Sequence, residues 1–214
     1  MKPRRSFLGR LFTFGAVAGL SNSSVGAQTA APAGVWQPLR DPKDDWYEVA
    51  GSKRRIFFDC TSPSGVVDGA MFANNFFTGN KNGYGLDGAD LAILVGFRHN
   101  ATCFGFNDAM WAKYGAALSE AAGGWKDPKT GEAATTNVRK ASLESLAKKG
   151  VHFTLCDLST HRFSSAAARA TGGKADDVYK EISANLMPNA RLVPAGIVAV
   201  DRAQEHGYSI AYVG

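Results

Sequence analysis

The residues of this chain best suited to chemistry are its thiols, at positions 60, 103 and 156. A cysteine thiolate is a nucleophile and an acceptor of sulfur. Cys156 is the leading candidate because it ends the alternating apolar run 151–155, which predicts a strand, and ligands of parallel sheets bind beyond the carboxyl ends of strands. A helix N-terminus there would stabilise the thiolate, whereas Asp157 would oppose it unless its side chain points elsewhere. The alternative is a cysteine packed as a small hydrophobic residue.

Arg98 and His99 end the second predicted strand, at the same edge as Cys156. His99 has the chemistry of a base, a proton donor or a metal ligand, and the alternative is a structural histidine bonded to a loop carbonyl. With Cys103 it would provide only two metal ligands, and the chain has no Cys/His zinc pattern. We therefore expect no metal and no cofactor, and the sequence leaves any cofactor-binding residues unknown.

Cys60 ends the first predicted strand and is the candidate second thiol. If the strand order is 2-1-3, Cys60 lies beside Cys156. Neighbouring strands are ~4.8 Å apart, so a disulfide between these two residues is sterically allowed. Two unlinked thiols are the alternative.

Strands and helices alternate along the chain, which predicts an α/β fold with a mostly parallel sheet flanked by helices in a single domain. The predicted strands are 54–60, 90–97, 151–156, 191–193 and 208–213, and the predicted helices are 66–77, one capped by Asn107, one beginning at Ser142, 175–185, and one opened by Pro194. Residues 80–88 are predicted as a loop, 123–137 as a surface loop or flap, and 160–174 has no clear pattern.

The N-terminal 27 residues have the pattern of an export signal. Basic residues precede the apolar segment 11–20, small residues precede Gln28, and the run Arg4-Arg5-Ser6-Phe7-Leu8 matches a twin-arginine motif. We expect a periplasmic protein; an uncleaved anchor helix is the alternative. Residues 28–52 are predicted as a linker or an arm laid over the surface, and residues 53–214 as the α/β domain.

The basic character of the chain resides in the predicted signal. The whole chain carries a net charge of +5, but residues 28–214 hold 20 Lys and Arg against 19 Asp and Glu. This near-neutral balance gives no support for nucleic-acid binding. We also expect no membrane association after signal cleavage. In an oxidising compartment three cysteines allow one disulfide and leave one thiol.

Three segments of the second half resemble the DsrE/DsrF-like family: Gly150-Val-His-Phe-Thr-Leu-Cys156, Leu192-Val-Pro-Ala-Gly-Ile-Val198 and Gln204-Glu-His-Gly-Tyr208. The segment 98–113 is similar to exported members. The resemblance implies a small α/β protein of the flavodoxin-like type, linked to sulfur relay and assembled as a trimer or hexamer. The family cysteine at the end of the third strand matches Cys156. The chain departs from the relay members in its signal and its inserted loop.

We therefore expect an exported DsrE/DsrF-like protein that acts as a sulfur carrier or sulfurtransferase-like protein through Cys156, with Arg98 and His99 nearby. Whether it is an enzyme is left open. The expected partners are further copies of the chain and a sulfur-donor or sulfur-acceptor protein. The alternatives are a small-ligand or subunit-binding module without thiol chemistry, and a periplasmic thiol–disulfide protein that uses Cys60 and Cys156.

Overall fold

The computed structural model describes residues 37–214, so the predicted export signal lies outside the described residues. The described part alternates strands and helices as the sequence predicts. The strands are β1 (Arg54–Cys60), β2 (Leu91–Phe97), β3 (His152–Cys156), β4 (Ala190–Val193) and β5 (Ser209–Val213). The helices are α1 (Pro63–Tyr84), α2 (Asp108–Ala121), α3 (Lys140–Lys148), α4 (Asp157–Thr171), α5 (Ala175–Ser183) and α6 (Gly196–Glu205).

The five strands form one parallel sheet in the order β4-β3-β2-β1-β5. Every residue of β2 is buried, as the continuous apolar run of that strand predicts for the centre of a parallel sheet. The predicted single-domain α/β fold with a parallel sheet and flanking helices is therefore confirmed. The 2-1-3 order considered for β1 to β3 is wrong, because β2 lies between β1 and β3.

The two faces of the sheet are covered unequally. Alternate strand residues such as Phe58, Val95 and Phe153 pack under α1 to α5 in the larger core. The opposite face, which includes Phe57 and Leu94, packs against α6 and Tyr47. A residue's position in its strand therefore decides which layer it enters.

Residues 42–47 form a short 3-10 helix that packs on the α6 face. Tyr47 is 1% exposed, and its backbone carbonyl accepts a hydrogen bond from the Tyr208 hydroxyl at 2.8 Å. Asp44 pairs with Arg202 of α6 at 2.6 Å. This part of the 28–52 segment is thus an arm held against the domain by one buried ring and by ion pairs.

Several helix boundaries differ from the predicted ones. Helix α1 continues to Tyr84, through the first part of the stretch 80–88 that was predicted as a loop. Gly85 caps it, and its φ of 66° is a left-handed conformation that favours glycine. Asparagine is compatible with the helix here because the Asn80 side chain donates a hydrogen bond to the Phe76 carbonyl one turn earlier. Helix α3 begins at Lys140 instead of Ser142, and α4 occupies most of the stretch without a clear pattern. The segment between α2 and α3 contains turns, as predicted.

Among the helices of residues 37–214, none combines the length and the apolar composition that a membrane crossing requires.

Candidate functional site

The carboxyl ends of β2 and β3 bring Arg98 and Cys156 side by side. Phe97 pairs with Leu155 in the parallel ladder. Arg98 and Cys156 directly follow this pair, so they lie next to each other one position further along the two strands. Both side chains belong to the α6 face, because Thr154 lies on that face and Arg98 contacts the first turn of α6 at Gly196. These residues line a cleft of about 490 Å³ at this edge of the sheet.

Cys156 lies at the point where β3 turns into α4. It is the N-cap residue of that helix, it is 7% exposed, and its side chain lines the cleft. The Thr160 hydroxyl donates to the Cys156 carbonyl at 3.0 Å, which anchors the first turn of the helix under the cysteine. The amide groups of the first helical turn carry partial positive charge, and the Cys156 residue lies next to them.

Asp157 does not face the cleft. Its carboxylate accepts a hydrogen bond from the Tyr179 hydroxyl of α5 at 2.7 Å and lies 3.6 Å from the Nε2 atom of His161. This bond to Asp157 is the first cause that raises the pKa of Tyr179 above its ordinary value. The sequence left open whether the Asp157 carboxylate opposes a thiolate at Cys156. In the structure the carboxylate points toward α5, so its negative charge is directed away from the cleft.

Arg98 forms a two-pronged ion pair with Asp59 of β1. Its Nε and Nη2 atoms each donate to one carboxylate oxygen at 2.8 Å, and the two side chains are 18% and 6% exposed. The hydrogen bonds from Arg98 to Asp59 are the largest cause that raises the pKa of Arg98, and a smaller electrostatic contribution comes from Cys156. The pair therefore fixes the guanidinium across the strand ends, close to the thiol.

His99 follows Arg98 in a left-handed conformation, with a φ of 52°. The Arg98 Nη1 atom donates to His99 Nε2 at 2.8 Å, because a guanidinium has only donors. The ring proton of His99 consequently lies on Nδ1. The side chain is exposed at the rim of the cleft and bonds Arg98, not a loop carbonyl.

Arg162 of α4 closes another side of the cleft. Its guanidinium donates to the carbonyls of Ala121 and His99 and to the side-chain oxygen of Asn100. All three acceptors are uncharged, and Arg162 has no carboxylate partner among the described residues. These hydrogen bonds hold the segment after β2 against α4. The guanidinium charge of Arg162 is left uncompensated at the cleft.

The other two thiols lie away from this cleft. Cys60 is fully buried on the opposite face under α1, where a Cβ built on Gly69 would come within 2.5 Å of its sulfur. Cys103 is fully buried in the segment after β2. Burial raises the pKa of both thiols well above the ordinary value. The expectation that Cys60 lies beside Cys156 is wrong, because β2 separates their strands by roughly 10 Å and the side chains face opposite layers.

No group of three or more His, Cys, Asp or Glu side chains suited to a metal ion occurs within residues 37–214. His206 is buried against the arm, where its Nδ1 atom lies 2.7 Å from a Glu48 oxygen. Neither finding adds a group to the cleft.

The sequence predicted Cys156, Arg98 and His99 as candidates, and the structure brings all three to one cleft. The sequence did not indicate the residues that support them. Asp59 was detectable, since a carboxylate inside an apolar strand needs a buried partner. Arg162 and the cleft-lining Ser159 belong to α4, whose many alanines, serines and threonines gave no strong helical period. Gly196 touches Arg98 only because of the strand order, which the local pattern does not encode.

No family model and no curated protein matches this chain. Its fold is similar to the solved structure of a protein of unknown function from Methanobacterium thermoautotrophicum, with 15% sequence identity and a TM-score of 0.42. The match covers 75% of this chain and 99% of that protein.

Proposed function

We propose that this protein is an exported DsrE/DsrF-like sulfur carrier or sulfurtransferase-like protein that accepts sulfur on Cys156. The observation that carries the proposal is the position of this thiol at the start of α4, at the wall of an open cleft and beside Arg98. Cys60 and Cys103 are enclosed in the core on every side. Of the three thiols, only that of Cys156 lines this cleft.

The proposed step needs no external oxidant. The Cys156 thiolate attacks the outer, sulfane sulfur of a donor persulfide, and a new sulfur–sulfur bond forms. The original bond of the donor breaks, and its electron pair leaves with the donor thiolate. Cys156 becomes a persulfide, which passes the same sulfur atom to an acceptor thiol by the reverse exchange. The donor or acceptor is a partner protein in this proposal.

The location of Cys60 supports this function over the thiol–disulfide alternative. A disulfide requires Cα atoms within ~7 Å of each other, and β2 separates the two cysteines' strands. Joining them would require the sheet to open.

The test is an intact-mass measurement after incubation of the protein with a small persulfide. We expect the mass to rise by one sulfur atom and to return to its starting value after reduction by a thiol. Cys156→Ser should abolish the gain, and the matched variant Cys60→Ala should keep it. If Cys156 is inert in the native protein and reacts only after denaturation, it is a core residue and the sulfur-carrier function is excluded.

The proposal includes assembly into a homo-oligomer in the periplasm. Apolar side chains on the outward face of α1 support assembly, since Val67, Met71 and Phe72 are each at least 40% exposed. Sedimentation at micromolar concentration should show a trimer or hexamer. A monomer throughout would contradict this part of the proposal.

A further inference from the structure

We propose that the cleft contains an oxyanion subsite beside Cys156, and that the sulfur donor is therefore a thiosulfonate, a sulfane sulfur bonded to a sulfonate group. The assignment of the donor rests on the proposed function, whereas the subsite itself does not. Thiosulfate is the simplest member of this class. The cleft volume of about 490 Å³ is within the range of small-ligand sites.

The charged side chains that line the cleft are all basic. They are Arg98 and Arg162, and no carboxylate of the described residues lines it. Asp59 neutralises Arg98 from below, but Arg162 has only uncharged acceptors. An anion that entered would meet one uncompensated guanidinium and no repelling group.

Two helices begin at this cleft. Leu158 and Ser159 of α4 and Gly196 and Ile197 of α6 belong to first turns that line it. Neither helix has a side-chain cap, so the first backbone amides of both lack the usual acceptor. Uncapped amides and the aligned peptide dipoles favour an anion at each terminus.

Ser159 provides an independent indication of a ligand. Its side chain is 93% buried, since it is only 7% exposed, and it lines the cleft. Its hydroxyl forms no hydrogen bond with any other residue of the described part of the chain, and it is accessible from the cleft. An anion bound in the cleft can therefore accept a hydrogen bond from it.

The thiosulfonate step balances without another reactant. The sulfonate oxygens occupy the subsite, and the Cys156 thiolate attacks the sulfane sulfur. The bond between the sulfane and sulfonate sulfurs breaks, and its electron pair leaves with sulfite. The cysteine sulfur is oxidised to the persulfide level, and the sulfonate sulfur is reduced to sulfite. The basic lining of the cleft stabilises the departing anion.

Binding is measured first without thiol chemistry. Cys156→Ser protein is titrated calorimetrically with thiosulfate and with sulfate at low ionic strength, and both should bind. Adding Ser159→Ala should weaken binding about tenfold, the effect expected for one hydrogen bond to a charged group. Ser165→Ala on the same helix, outside the cleft lining, is the matched control and should leave binding unchanged.

Sulfur transfer is measured separately on the wild-type protein, with thiosulfate and with a small alkyl persulfide, which has no sulfonate group, as donors. Absence of anion binding, or binding that Ser159→Ala does not change, overturns the subsite even if the alkyl persulfide loads Cys156. Ser159-dependent binding without sulfur gain from either donor keeps the subsite and overturns the proposed function. Sulfur gain from the alkyl persulfide alone overturns the thiosulfonate assignment.

Discussion

Removal of the Arg98 side chain should destabilise the protein far more than neutralisation of its partner. In Arg98→Met, Asp59 keeps its charge in a position where its side chain is 6% exposed and loses both 2.8 Å donors. Breaking a buried pair in this way costs about 3–5 kcal/mol. Because Arg98 itself is 18% exposed and water can replace part of it, we expect about 3 kcal/mol.

Asp59→Asn should cost less, about 1–2 kcal/mol, because the amide still accepts one hydrogen bond and the long guanidinium can turn toward the cleft. The double variant Asp59→Leu with Arg98→Met leaves no unpaired charge. It should therefore be more stable than Arg98→Met alone.

The assay is urea unfolding of all variants, followed by circular dichroism, with the slope checked for constancy. For a domain of this size, about 3 kcal/mol corresponds to a fall in Tm of about 6–12 °C. Equal losses for the two single variants, or a double variant no more stable than Arg98→Met alone, would refute the account of Asp59 as a buried charge that depends on Arg98.

Three further outcomes are expected. Gly196→Ala should lower the free energy of unfolding by about 1–3 kcal/mol, because the new Cβ would lie 2.5 Å from the Cβ of Arg98. The control Gly79→Ala should be neutral or stabilising, because no atom lies within 4 Å of its new Cβ. Urea unfolding of the two variants distinguishes these outcomes. Burial and, to a smaller extent, Arg191 lower the pKa of His152 in the folded protein. As the pH falls below about 6.5, the unfolded chain therefore protonates the His152 ring before the folded protein does, and this protonation favours unfolding. Wild-type stability should then decline faster than that of His152→Gln between pH 7.5 and 5.5, and equal declines would contradict the argument. Replacing Arg4 and Arg5 by Lys should block export, as fractionation would show, and normal export would exclude a twin-arginine signal.

The sequence predicted the central parts of the fold better than its connections. The run 90–97 indicated a strand buried on both faces, and β2 is such a strand, because burial on two sides leaves a local apolar signature. The position of Cys156 at a strand end followed from the same kind of local pattern. The location of Cys60 did not, because strand order depends on packing between segments distant in the chain.

The supporting residues of the cleft were unpredictable for a related reason. Ser159 and Arg162 have no distinctive local pattern, and their relation to Cys156 exists only after α4 forms. The loop predicted for residues 80–88 was wrong over its first part, since asparagine and glycine weaken a helix but tertiary packing overrides the propensity. Local patterns therefore locate a thiol at a strand end and leave the surrounding charges undetermined.

The pairing of β1 with β5 has a consequence for the order in which the molecule is made. Strand β1, the first of the described strands to be synthesised, pairs along one edge with residues 209–213, and the Gly214 carbonyl accepts hydrogen bonds from the amides of Thr61 and Ser62. Until those residues are synthesised, β1 is an open edge with apolar side chains, which invites pairing with another nascent chain. Cleavage just before Ser209 would recreate that exposed edge in a finished molecule, so C-terminal proteolysis should convert this protein into an aggregating species.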